Sequence, residues 1–158
     1  VVLGLVEQGF VAEGVTLYVG YQILSKEGLS SYHGPIKVNY YGRKVPPSVH
    51  GTGKLDGPTA SLSRITEAVL KLYDKLVDKE LEVRRMSIAA IRLSPKEEVP
   101  PQMSLFSSWK NDARETALLK AAISLHKRFG KNSLVKGMDL LEAGTTRERN
   151  DQIGGHRK

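Results

Sequence analysis

The residues that could do chemistry in this chain are few, and most fail the test of spacing. HGTGKL, running from His50 to Leu55, carries a Gly-Lys pair of the kind that cradles phosphate. A phosphate-binding loop also needs a glycine five residues before that pair and Ser or Thr after the lysine. Ser48 and Leu55 occupy those places, so the match fails. The histidines His33, His50, His126 and His156 show no metal-ligand spacing, and with no cysteine there is neither a disulfide framework nor a thiolate zinc site. Asp74, Asp78 and Glu82 lie along an exposed helix side and its end, which is solubility rather than an acid/base pair. No nucleophile has an identifiable base beside it. The chemistry left is recognition.

Two groups of residues suit it. The first is basic. Net charge is +7, and the excess is uneven: residues 1–100 hold 13 Lys/Arg against 11 Asp/Glu, residues 101–158 hold 11 against 6. No acid lies between Glu27 and Asp56, where Lys37, Arg43, Lys44 and Lys54 all fall. Arg84 and Arg85 open a later strand, with Arg85 alternating away from the apolar Met86 and Ile88. A flat sheet face with arginines beside a basic neighbouring stretch can lie along a phosphate backbone and grip it without reading sequence. The alternative is a strand with one solvated face in a mildly basic protein.

The second group is PPQMSLFSSW. Gln102, Met103, Ser104, Leu105 and Phe106 put two large apolar side chains into a connector rich in proline and serine. An extended segment of this kind can place Leu and Phe in a partner's apolar pocket while Gln bonds nearby backbone. Packing of Leu105 and Phe106 onto the chain's own core is the competing reading.

Several elements must position these groups. Val1 to Gln8 reads as the end of a helix stopped by Gly9. Val15 to Tyr21 is a strand rich in β-branched and aromatic residues. A turn-rich excursion from Leu24 to Pro47 holds a short strand at Ile36 to Tyr40. A second main strand runs from Ser48 to Leu55, and Asp56-Gly57-Pro58 makes a turn. Ser61 to Val77 is an amphipathic helix with the stripe Leu62, Ile65, Val69, Leu72 and Leu76. Glu82 to Leu93 is the last strand, and Pro95, Pro100 and Pro101 mark a linker. Asp112 and Glu115 have capping-box spacing ahead of another helix that ends at Phe129-Gly130. An apolar patch from Leu134 to Leu141 and the polar TTRERNDQIGGHRK follow. The order predicts an α+β fold: an antiparallel sheet backed by helices over 1–95, a linker over 96–110 and a mostly helical basic tail over 111–158. No run is long enough to span a membrane, and VVLGLV lacks the features of a signal peptide. The apolar start without Met reads as a piece of a longer chain.

Three stretches carry a family resemblance: LYVGY with SYHGPIKVNYYGRKVPPSVHGTGKL, then ITEAVLKLYDKLVDKELEVRRMSIAAIRL, and the ending GKNSLVKGMDLLEAGTTRERNDQIGGHRK. Together they cover nearly the whole chain. The sequence resembles the C-terminal region of bacterial Y-family translesion DNA polymerases of the ImpB/MucB/SamB type. That resemblance implies a little finger domain over 1–95, whose first strand and most of whose first helix would lie upstream of Val1. It implies primer–template DNA as partner, held by Arg84 and Arg85 at the start of the last strand. The family's next basic position falls on Ala89, which carries no charge. It also implies a sliding clamp gripped by Gln102, Leu105 and Phe106, with Met103 and Ser104 between them. The catalytic carboxylates and their two magnesium ions would belong to a palm outside this chain. This piece would then be non-catalytic, cofactor-free and cytoplasmic, working with the polymerase's palm, fingers and thumb. A stand-alone nucleic-acid-binding module, with Tyr18, Tyr40 and Tyr41 as base-stacking candidates, and a small enzyme with an unrecognised site are the other readings.

Overall fold

A computed structural model describes residues 1–25, 28, 31–99, 109–142 and 144–152. The chain divides into two compact units, Val1–Ser107 and Ser108–Lys158. In the first, helix α1 (Val2–Gln8) ends at Gly9, whose φ of 72° supplies the left-handed stop. Strand β1 (Phe10–Tyr21) follows directly, longer at its start than the β-branched run alone predicts. A small hairpin pairs β2 (Lys37–Val38) with β3 (Lys44–Val45). The main sheet is completed by β4 (Val49–Thr59) and β5 (Val83–Pro95), antiparallel on either side of β1 in the order β4-β1-β5.

The expected turn at Asp56-Gly57-Pro58 is instead absorbed into β4. The pairing jumps from Gly14↔Lys54 to Ala12↔Thr59, so the extra residues bulge and the strand resumes at Thr59. Helix α2 (Leu62–Leu76) begins where the Ser61 Oγ accepts the Arg64 N–H, and it buries Ile65, Val69 and Leu72. Those residues pack on the sheet side formed by Val15, Leu17 and Val19, all nearly inaccessible to solvent. Gly51 and Gly53 make the fit possible on β4. A methyl group at Gly51 would stand 2.6 Å from Leu76 Cδ1, and one at Gly53 would stand 3.2 Å from Leu72 Cδ1. Met86 and Ile88 sit in register with Val19 and Leu17, on the expected side, yet stay 46% and 37% exposed because α2 lies over β4 and β1.

The second unit is built from α3 (Trp109–Phe129), a 3-10 turn (Gly137–Leu140) and α4 (Thr146–Asn150). Helix α3 starts ahead of Asp112, so Asp112 sits in its first turn rather than capping it. Its carboxylate still favours the helix's positive end. Gly130, at φ 88°, closes the helix as expected. Beyond it, Asn132 ties the chain together: its amide donates to Asp151 Oδ1 (2.9 Å) and Arg147 O (3.3 Å), and its oxygen accepts from Asn150 (2.8 Å). Asp139 accepts from the Thr146 hydroxyl at 2.7 Å and the Lys136 N–H at 3.0 Å.

Candidate nucleic-acid interface

Residues directly opposite one another in adjacent strands share a face, so the register decides which cations meet. With α2 on one side, the other side of the sheet is open. Across it run the rows Lys54–Gly14–Ile91, Thr52–Thr16–Ala89 and His50–Tyr18–Ser87, ending with the pair Gly20–Arg85. Lys54 and Arg85 therefore stand on one face, near opposite ends of β1. Six residues of strand separate Gly14 from Gly20, roughly 20 Å at the usual rise. Between the cations lie the hydroxyls of Thr16, Thr52 and Ser87 and the half-exposed Tyr18. Tyr18 leans over Gly20 toward Arg85: a methyl at Gly20 would be 3.7 Å from the Tyr18 ring and 4.0 Å from Arg85 Cβ. Hydroxyls and cations on one flat surface are the groups that hold phosphate oxygens.

Arg84 is placed differently. The register shifts between Gly20↔Arg85 and Tyr21↔Val83, leaving Arg84 as the extra residue of a bulge. The remaining three predicted cations leave the main sheet. Lys37 pairs with Val45 and Lys44 with Val38, so Lys37 and Lys44 lie on opposite faces of the β2–β3 hairpin. Arg43 sits at its tip. That tip is tightly built: the Asn39 side-chain oxygen accepts the N–H groups of Tyr41 and Arg43, each at 3.0 Å. Gly42, at φ 73°, donates its N–H to Asn39 O. Tyr40 and Tyr41 are exposed there, edge to face with centroids 5.4 Å apart. The basic sequence run thus splits into a hairpin group and a sheet group.

Arg92 is a cation that sequence alternation assigns to the α2 side. With φ 52° it turns instead over the open face, where its Nη2 would lie 2.7 Å from a methyl at Gly14. The Gly14–Lys54 pairing puts Lys54 beside it. No signal in the sequence marks that conformation, because arginine is not a residue that favours it.

A shallow groove of about 250 Å³ lies between β4 and α2, with Lys54 at its margin and Arg64, Glu67, Lys71 and Lys75 along the helix. Lys71 Nζ is 2.7 Å from Glu67, and Arg64 donates to Asp56 O at 3.1 Å. The hydrogen bond to Lys71 holds the Glu67 carboxyl below its ordinary range and, reciprocally, raises the Lys71 ammonium. Among the described residues no three His, Asp or Glu side chains group to hold an ion. No helix among the described residues is long and apolar enough to cross a membrane. The predicted clamp-binding residues Gln102, Met103, Ser104, Leu105 and Phe106 lie outside the described residues.

Residues 1–105 match the impB/mucB/samB family C-terminal domain. Over 105 residues the chain is 31% identical to DNA polymerase IV 2 of Bacillus subtilis (strain 168), covering 66% of this chain and 24% of that protein. The chain thus spans about a quarter of the length of that relative. No solved structure matches it.

Proposed function

This chain belongs to the impB/mucB/samB family through its C-terminal domain, and from that premise we propose that residues 1–95 grip primer–template DNA for a Y-family polymerase acting in translesion synthesis and repair. The observation that carries the reading is the open sheet face, with Lys54 opposite Gly14, Arg85 opposite Gly20 and hydroxyls between them. Cations on such a face replace counterions condensed on the duplex, so binding is strongly salt-dependent and indifferent to sequence. Hydroxyls add position without reading bases. The chain itself is non-catalytic in this reading. Nucleotide addition belongs to a palm domain whose carboxylates hold magnesium, and the protein works in the cytoplasm on the nucleoid. Lys37, Arg43 and Lys44 extend the basic surface from the hairpin, and Arg84 adds charge beside Arg85.

The test is duplex binding against salt. Replacing Lys54 and Arg85 together by Gln flattens the log-affinity against log-salt slope by about two units, since each phosphate contact contributes roughly 0.9. An unchanged slope removes the face from the interface.

Gln102, Leu105 and Phe106 tether the polymerase to its sliding clamp, with Met103 and Ser104 spanning the gap between them. A Leu105→Ala, Phe106→Ala double variant that held the clamp as tightly as the parent would sink that assignment. One observation favours a second reading: the exposed Tyr40 and Tyr41 at the hairpin tip offer stacking surfaces for single-stranded bases. Tighter binding of single-stranded RNA than of primer–template DNA would shift the conclusion to a stand-alone nucleic-acid-binding module.

A further inference from the structure

Among the described residues Arg92 alone, glycines aside, has a positive φ, inside β5, an outer strand of the described sheet. Left-handed backbone is unfavourable for a residue with a side chain and persists where the surroundings fix it. Alternation from Ala90 would direct Arg92 toward the α2 side, opposite Glu13. The left-handed turn brings the guanidinium over Gly14 instead, into room that a Cβ at residue 14 would crowd. Lys54 pairs with Gly14 from the other strand, so the two cations flank one glycine.

The guanidinium is only loosely engaged there. Nη2 donates to Glu13 O at 3.4 Å, and Nε lies 3.8 Å from Glu13 Oε2, with both side chains about half exposed. An exposed pair at that separation contributes little stability. A phosphate offers the guanidinium a shorter, bidentate partner.

We infer that Arg92 is a further phosphate-binding cation of the open face, set over Gly14 by its left-handed backbone and resting on Glu13 until a backbone phosphate of duplex DNA displaces the carboxylate. The inference rests on the DNA-gripping reading above and adds to it a carboxylate that competes with the ligand.

The experiment is a double-mutant cycle in duplex-DNA affinity, using the 158-residue chain across a salt series. Arg92→Gln is expected to weaken binding and flatten the salt slope by about one unit. Glu13→Gln is expected to tighten binding in the parent, and most of that gain should vanish when Arg92→Gln is already present. Arg92→Gly relieves the backbone, so it keeps the fold, melts no lower than the parent and shows the same loss of slope. An equal Glu13→Gln gain in both backgrounds overturns the inference, because the carboxylate then acts through general repulsion. So does an unchanged slope in Arg92→Gly while Lys54→Gln flattens it, a result that leaves the DNA reading standing. A parent chain that fails to bind duplex at low salt overturns both.

Discussion

The two units of this chain are stabilised by different means. In the first, fourteen apolar residues among those described are buried, and Val15, Leu17 and Val19 of one central strand are almost wholly inaccessible. In the second, none of the side chains whose burial is described is buried, and Leu118, Leu125, Phe129, Met138, Leu140 and Leu141 are exposed. What organises the second unit is a local polar network centred on Asn132 and Asp139. Burial is non-directional and accumulates with area, whereas exposed hydrogen bonds exchange with water and add little net stability each. The first unit is therefore expected to unfold cooperatively, and the second to open by local steps of low free energy.

The sharpest way to break that contrast is one type of truncation made in both units. Leu17→Ala, in the central strand, should cost about 3 kcal/mol in urea denaturation. Leu125→Ala, on the exposed side of α3, should stay within about 0.5 kcal/mol of the parent. Equal costs would mean that the second unit has a core of its own. Ser61→Ala removes the cap of α2 and should cost about 1 kcal/mol, seen in the same global transition. Asn132→Ala should leave that transition unmoved and instead raise amide exchange around Asn150 and Asp151. A shift of the global midpoint would show that the two units share one transition.

The smallest effect concerns Glu67. Its carboxyl sits below the ordinary range because of the Lys71 hydrogen bond. The pair's contribution is thus present above the unfolded-state carboxylate range and disappears as pH falls through the lowered folded value. Both groups are fully exposed, so Glu67→Gln should leave the melting temperature at neutral pH unchanged within error. It should remove only a slight extra loss of stability in acid.

Local pattern made much of the first unit legible. The β-branched run at Val15 to Val19, the stripe from Ile65 to Leu72 and the alternation from Arg85 to Ala89 each specify an element and its sides. Pairing carried what local pattern did not. Lys37 and Lys44 look alike in sequence, yet the two-residue ladder with Val38 and Val45 puts them on opposite faces. Asp56-Gly57-Pro58 has the composition of a turn, but pairing of Thr59 with Ala12 keeps it inside a strand. Asp112 has a cap's residue type and spacing, and the helix nonetheless begins before it, at Trp109. Arg92 was illegible for the same reason as the others. Its placement uses room left by Gly14, a residue of another strand.

The order of pairing has a consequence in time. β1 is made before β4 and β5, yet its partner on one side is the last strand of the described sheet: Phe10 meets Pro95 and Tyr21 meets Val83. Contacts so distant along the chain close slowly, because the entropy of closing the long intervening loop is lost before the pairing compensates it. On the ribosome, β1 can pair with β4 and dock α2 while its other edge still waits for a strand not yet synthesised. Unpaired strand edges invite foreign strands. The nascent chain is thus most exposed to misassembly in the interval before Pro95 emerges, and slowed synthesis across residues 77–95 would prolong that interval.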